Sequence, residues 1–369
     1  MLMKYLDYNL MGFKEFISKK KCICFGTGIQ GCRIINLLES WGKTDNIIAF
    51  VDNDKRKIGG TMIHEGFKYP IVSLKDSLKK IDENTFIVIS CLEVTSIKRQ
   101  LEEYKELKDV ACFSLVELAR NQLCISDYDA VIRNNRVQTI PKKIHYCWFG
   151  EEMPDFLKEN IRKWRNLCPD YEIIEWNEKN YDVTKVEYMR EAFKNKLWAF
   201  VSDYVRLDVL YEYGGIYLDT DVEMVQRPDE LLYQEGFMCF DATFQPNTGA
   251  GFACKAKHPI IKKLRDFYSD MDFYKNDGEI NNLPCNIYTY NVLKHYGLVL
   301  NDTLQEIEGI NIYPMIIQGS CIHTKQKRIT NKTFFVHYGT NTWFKQEQRE
   351  IKEKLNLKSN EEVCDLQNY

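Results

Sequence analysis

The sequence predicts an α/β protein in two parts, a parallel-sheet unit in front and a second α/β unit behind it. Over about the first 120 residues, short apolar runs alternate with segments of helical spacing, a polar stretch follows, and a strand-helix-strand pattern resumes near Thr139. At 369 residues the chain is long for one core and suits two, since domains usually hold roughly 100–200 residues.

In the front unit, KCICFGTG at residues 21–28 reads as a buried strand running into glycines, and IQGCRIINLLESWG has the apolar spacing of a helix. A second strand runs from Asn46 to Val51 and ends at Asp52. After a helical stretch from about Ser73 to Lys80, Phe86 to Cys91 forms another strand. Strands separated by crossover helices make a parallel sheet. Gly26, Gly28 and Gly31 match G-x-G-x-x-G, in which glycines permit a tight turn and let phosphate oxygens reach backbone N–H groups at a helix start. Asp52 lies where a ribose-binding acid is expected. The unit is therefore Rossmann-like, and two readings of its turn stand side by side: it binds NAD or another nucleotide, or it keeps the glycines for packing. Nothing downstream reads as a hydride-transfer site.

Composition narrows the function. A net charge of −3 provides no basic field for a polyphosphate backbone, so no nucleic-acid partner is expected. The 13 cysteines are scattered without a C-x-x-C pair and read as reduced packing residues of a cytoplasmic protein. No apolar run approaches the roughly 18 residues needed to cross a bilayer, so membrane association is expected to be peripheral at most, at the inner face. The N-terminal 18 residues read as a helix packed on its own unit. The polar stretch from Arg120 to Gln138 supplies the boundary, giving units at 1–125 and 139–369.

In the back unit, TIPKKIHYCWFG at 139–150 reads as a strand with Trp148 at its exit, where open α/β sheets bind ligands. Trp148 either stacks on a base there or packs in the core. A helix and a strand follow, with Trp164 internal and His145 read as structural. The informative segment is SDYVRLDVLYEYGGIYLDTDVEMV, residues 202–225. Asp203 and Arg206 share a helix face, and the helix starts before Ser202 and stops at Gly214 and Gly215. Asp219 and Asp221 close the next strand, where side chains two apart point the same way and can share a hard divalent cation. D-x-D also occurs at Asp52 and Asp54, Asp127 and Asp129, and Asp270 and Asp272. Only the pair at 219 and 221 ends an apolar strand reached by a glycine turn from a helix carrying its own Asp and Arg.

SDYVRLDVLYEYGGIYLDTD, with IHYCWFG before it and VHYGTNTWF after it, resembles the D-x-D glycosyltransferases of family 32, whose core layout also occurs in the large clostridial glucosylating toxins. The likeness spans about Ile140 to Phe344 and leaves the front 120 residues aside. It implies a type A glycosyltransferase fold with a mixed central sheet, a nucleotide-sugar donor, Mn²⁺ or Mg²⁺, and retention of anomeric configuration. By the same resemblance Trp148 stacks on the donor base, and Asp203 and Arg206 hold the sugar hydroxyls and the phosphate side. Asp219 touches ribose or sugar and helps with the metal, while Asp221 binds it directly. His337 contributes a metal or diphosphate contact, and Trp343 covers the diphosphate.

Asn247, in the loop FQPNTGAGFACKAKHP, is a candidate for the pocket near the sugar. NNLPCNIYTYN, at 281–291, lacks the Thr-Gly-Pro turn that relatives show there, which bears on the acceptor. The expected activity is transfer of a hexose, from UDP-sugar first, to a glycan or lipid-linked saccharide acceptor. An NAD-dependent sugar-nucleotide oxidoreductase or epimerase and a non-catalytic polysaccharide-assembly protein are the competing readings.

Overall fold

Each expected apolar run becomes a strand, and the strands assemble into two large sheets. The computed structural model describes residues 4–124, 132, 137–275, 278–281, 283–321 and 326–339. Of the expected site, Trp343 lies outside these residues, as does the Asp127–Asp129 pair.

The front sheet is built from β1 (Lys4–Tyr5), β2 (Lys21–Phe25), β3 (Ile47–Val51), β4 (Thr61–His64), β5 (Phe67–Val72), β6 (Thr85–Ile89) and β7 (Ala111–Ser114). Its order is β1-β7-β6-β2-β3-β5-β4, parallel throughout except for the β4–β5 hairpin. The helices α1 (Leu10–Phe16), α2 (Ile29–Ser40), α3 (Leu74–Ser77), α4 (Val94–Glu102) and α5 (Leu115–Leu123) fill the connections. Strand order reverses direction between β2 and β6, and in doubly wound sheets ligands bind beyond the carboxyl ends at that point. Gly26 and Ser90 follow those two strands. Gly26 has φ +116, and a Cβ there would stand 2.5 Å from the Ser90 carbonyl oxygen. The turn therefore needs glycine for its own packing.

The back sheet holds β8 (Lys143–Cys147), β9 (Glu172–Trp176), β10 (Gly215–Tyr217), β12 (Gly236–Phe240), β14 (Phe252–Cys254), β15 (Gln305–Ile307) and β16 (Ile310–Tyr313), with β13 (Pro246–Asn247) on the side of β12. It is mixed, as the resemblance implies: β8 pairs in parallel with β9 and β10, whereas β14 runs antiparallel to β10 and β12. Two small ribbons sit apart, β11 (Val222–Met224) with β19 (Phe335–His337), and β17 (Ser320–Cys321) with β18 (Gln326–Lys327). The helices here are α6 (Asp155–Leu167), α7 (Glu187–Lys194), α8 (Trp198–Tyr213), α9 (Pro259–Ser269) and α10 (Cys285–Leu293). None of the described helices is long and apolar enough to cross a membrane.

The larger buried apolar cluster runs without a break through both sheets, from Leu10 and Phe13 to Phe334 and Phe335. Polar contacts cross the same seam. Trp41 Nε1 donates to the Leu300 carbonyl at 2.9 Å, Arg33 Nη2 to Asn286 Oδ1 at 3.4 Å, and Lys294 pairs with Glu39 at 3.0 Å and Glu65 at 3.1 Å. The described cysteines are free, and most are buried, which fits their reading as packing residues.

Gly26→Ala is expected to destabilise the protein by about 1–3 kcal/mol, because the residue must hold a strained positive φ against a backbone oxygen. The midpoint of urea unfolding measures it.

Candidate active site at the carboxyl edge of the back sheet

Helix α8 is apolar nearly all round and lies inside the protein, yet it carries Asp203, Arg206 and Asp208, all buried. It begins at Trp198, four residues before Ser202, because Leu197 rather than Ser202 occupies the cap position. Burial on every side forces each of its charges to find partners. Asp208 accepts from Tyr181 Oη at 2.6 Å and Lys185 Nζ at 2.7 Å and pairs with Arg265 at 3.2 Å, which ties α8 to α9. Arg206 turns the other way. Its Nη2 lies 3.2 Å from Asp203 and 3.4 Å from Asp219, its Nε donates to the Ser202 carbonyl at 3.0 Å, and its guanidinium sits 5.0 Å above the Tyr217 ring.

Strand pairing brings Asp219 to that guanidinium. In β10, Ile216 pairs with Ile144 of β8 and Tyr217 with His145, so the residues after both strands leave the sheet at one edge. Trp148 and Asp219 therefore share that edge. The two aspartates lie not in the strand but in the turn after it, where Val222 N–H donates to the Asp219 carbonyl at 3.0 Å. A turn, rather than the alternation of a strand, brings Asp219 and Asp221 together. Helix α6 holds this turn: Asn160 Nδ2 donates to the carbonyls of Thr220 at 2.8 Å and Val222 at 2.6 Å, and Trp164 Nε1 donates to Val222 at 2.9 Å. Trp164 is fully buried, as expected, and also carries this anchoring role.

His337 joins through the β11–β19 ribbon. Val222 pairs with His337, and Tyr338 N–H donates to the Asp221 carbonyl at 3.1 Å. His337 Nε2 then lies 3.3 Å from Asp221 Oδ1. Among the described residues, Asp219, Asp221 and His337 form the one cluster whose ligand atoms, one from each, all lie within 4.8 Å of one another. Oxygen ligands with one imidazole suit Mn²⁺, and oxygens suit Mg²⁺. A six-coordinate ion about 2.1 Å from each ligand sets trans pairs about 4.2 Å and cis pairs about 3.0 Å apart, both inside the 4.8 Å within which these ligand atoms lie.

The electrostatics follow from setting Asp203 and Asp219 against one guanidinium, with Asp221 beside Asp219. Burial pushes the Asp203 carboxyl up to about 6 although Arg206 opposes it, and burial raises Asp219 against the same opposition. For Arg206, burial disfavours the charge, and Asp219, Tyr217 and Asp203 outweigh it, so the guanidinium stays charged. For His337, burial likewise opposes protonation, and the Asp221 carboxylate overcomes it, raising the imidazole to about 9.

Asn247 lies beside this centre, with its side chain spent on the local turn. Its Oδ1 accepts from the N–H groups of Gly249 at 2.7 Å and Ala250 at 3.3 Å. That turn packs Gly249 so close that a Cβ there would collide with the Asp219 carboxylate and stand 2.9 Å from Arg206 Nη1. Trp148 donates from Nε1 to the Glu151 carbonyl at 2.7 Å and lines a cavity of about 300 Å³ with Gly150, Met153 and Asn177. His145 is structural: Nε2 bonds the Gly214 carbonyl at 2.9 Å, Nδ1 accepts from Trp176 at 3.0 Å, and burial lowers it to about 4. Sequence reasoning passed over Asn160, Gly249 and Cys285, whose Sγ sits 3.8 Å from Arg206 Nη1. The small-residue run around Gly249 was the one local signal for any of them.

The second predicted site is at the front glycines. Asp52 there accepts from Thr27 N–H at 3.2 Å, Thr27 Oγ1, Lys57 Nζ at 3.2 Å and Asp54 N–H at 2.9 Å. Both of its oxygens are already engaged, which weakens it as a ribose ligand.

The fold brings a D-x-D turn, a histidine and a buried arginine together at the carboxyl edge of a mixed α/β sheet. Residues 154–238 match the family described as the glycosyltransferase sugar-binding region containing DXD motif, so the chain carries a glycosyltransferase domain of that type. It is similar to mannosyl phosphorylinositol ceramide synthase SUR1 of Saccharomyces cerevisiae, 32% identical over 155 residues, covering 36% of this chain and 41% of that protein. It is also similar to inositol phosphoceramide mannosyltransferase 3 of Schizosaccharomyces pombe, 33% identical over 118 residues, covering 29% of this chain and 31% of that protein. The chain thus spans well under half the length of these relatives. Among solved structures it aligns with PaToxG glycosyltransferase at 20% identity and a TM-score of 0.32, covering 42% of this chain and 68% of that one.

Because the His337 imidazole is raised in the folded protein, its stabilising contact with Asp221 is fully present below the unfolded value near about 6.5. It is lost as pH rises through about 9. In EDTA, wild-type stability is therefore expected to fall with pH across that window more steeply than His337→Gln, by up to about 1.4 kcal/mol per pH unit. Urea midpoints across the window check this, and equal slopes would exclude the contact.

Proposed function

We propose that this protein is a retaining, metal-assisted hexosyltransferase that takes its sugar from a nucleotide-sugar and gives it to a glycan or lipid-linked saccharide acceptor. The observation that carries the reading is Arg206, buried between Asp203 and Asp219, directly beside the Asp219–Asp221–His337 set. Mannose is the first hexose to test because the relatives above are named for mannosyl transfer. UDP and GDP are both donors to try, UDP being the one the resemblance implies. The protein is proposed to work in the cytoplasm with peripheral membrane contact at most.

Asp219, Asp221 and His337 would hold Mn²⁺ or Mg²⁺, which when bound neutralises charge on a departing diphosphate. The chain's own residues do the rest. Arg206 is fixed in place by Ser202 and Tyr217 before any ligand arrives, so its positive charge faces a diphosphate without reorganisation. Asp203, held against Arg206 on the same helix face, accepts hydrogen bonds from sugar hydroxyls and fixes the ring relative to the leaving group. Trp148, at the same sheet edge, offers its face to the base. Asp203, Asp219 and Asp221 are each paired with Arg206 or His337, and the neighbouring Asp241 accepts from Thr243 and Asn286, which leaves none as a free nucleophile. Front-face departure assisted by the leaving phosphate is therefore the favoured route to retention.

The oxidoreductase reading has less support, because it leaves the Asp219 constellation without a task and asks Asp52 for hydrogen bonds it already makes. Asp221→Asn is expected to lower hexosyl transfer by at least about 10²-fold with an unchanged melting temperature. Mn²⁺ should add to whatever rise in melting point UDP or GDP gives the wild type, and Asp221→Asn should lose that addition. Turnover of the variant near wild-type level, or a UDP and GDP response indifferent to Mn²⁺, would contradict the proposal.

A further inference from the structure

A cavity of about 770 Å³ at the front glycines has no task in the transfer chemistry proposed above. Its floor is Gly26, Thr27, Gly28 and the first turn of α2, and its far wall includes Pro284 and Gly339 from the back sheet's side. Small-molecule pockets usually enclose about 300–1,000 Å³, so the space suits a nucleotide-sized ligand better than a bare ion.

Two independent features give it a chemical character. Helix α2 has 12 residues, and its N-terminus opens on the cavity. Such an end carries free N–H groups and partial positive charge. Gly28, its cap, differs from Gly26: its φ is −84, and a Cβ there would meet nothing within 4 Å. Protein packing therefore does not explain glycine at 28, although it does at 26.

The second feature is Arg33, one turn further along α2. It is 8% exposed and lines the cavity, and its Nε has no hydrogen-bond partner. Nη2 donates to Asn286 Oδ1 at 3.4 Å, and Asn286 in turn donates to Asp241 at 2.8 Å. Asp241 is in electrostatic range, yet burial still pulls the guanidinium below its ordinary value. A buried cation with an unused donor is costly unless something anionic completes it.

We propose that this cavity binds the diphosphate of a small organic ligand, with the N–H groups of the first turn of α2 and the Arg33 guanidinium as its anion partners. The positive charge comes from the protein, so binding needs no divalent metal, unlike the carboxylate centre, and the proposal does not rest on the transfer reading. The diphosphate belongs either to a nucleotide or to a non-nucleoside carrier.

Isothermal titration of the full chain in EDTA with inorganic pyrophosphate and with ADP tests this. Both probes should bind wild type. Arg33→Gln should weaken each by at least tenfold, and so should Gly28→Ala, which adds one methyl group where the phosphate approaches and disturbs no protein contact. Asp221→Asn should bind as wild type does. ADP at least tenfold tighter than pyrophosphate supports the site with a nucleotide, and equal affinities support it with a non-nucleoside diphosphate. No binding of either probe, binding indifferent to Gly28→Ala, or loss of binding in Asp221→Asn would overturn the proposal. Gly28→Ala keeps the test decisive should Arg33→Gln fail to fold.

Discussion

The back half of this protein is organised around one buried guanidinium. Arg206 lies in the stretch of α8 that is buried on every side, and a charge in that position survives only with carboxylates against it. Asp203 and Asp219 supply them at 3.2 and 3.4 Å. Asp221, beside Asp219, adds a third carboxylate to the cluster, so negative charge remains in excess even when His337 carries its proton. That excess favours a cation at the Asp219–Asp221–His337 set.

The scaffold places these groups by separate means. Parallel pairing of β8 and β10 sets Trp148 and Asp219 at one sheet edge. Asn160 and Trp164 of α6 clamp the turn carrying Asp221, and the β11–β19 ribbon brings His337 from the far end of the chain. Gly249 closes the arrangement by letting backbone approach Asp219 and Arg206. Helix α10 connects this centre to the front sheet, since Cys285 touches Arg206 while its neighbour Asn286 bonds Arg33.

Much of this was legible in the sequence where the signal is local. Strand runs such as FIVIS and the glycines at 26–31 announced a doubly wound front sheet, and the spacing of Asp203 and Arg206 announced a shared helix face. The seam between the sheets was not legible, because Trp41, Arg33 and Asn36 look like ordinary helix residues until Leu300, Asn286 and Gln245 arrive from more than 200 positions away. The D-x-D pair was found for a reason the structure replaces: two-residue periodicity was expected to align the carboxylates, and a turn clamped by α6 does it. Asn247 shows the opposite case, where a polar residue near a pocket builds the loop with its side chain. Asp52 was placed by its spacing, which says where an acid sits and not that Thr27 and Lys57 already occupy it.

The most direct test of the account is to locate the ion itself. Anomalous diffraction at the manganese edge, from crystals grown with Mn²⁺ and UDP, should show one strong peak within about 2.3 Å of an Asp221 carboxylate oxygen, with Asp219 or His337 in the same coordination sphere and the diphosphate on its other side. A peak at any other place in the protein, with Asp219 and Asp221 left to Arg206 and His337 alone, would contradict it.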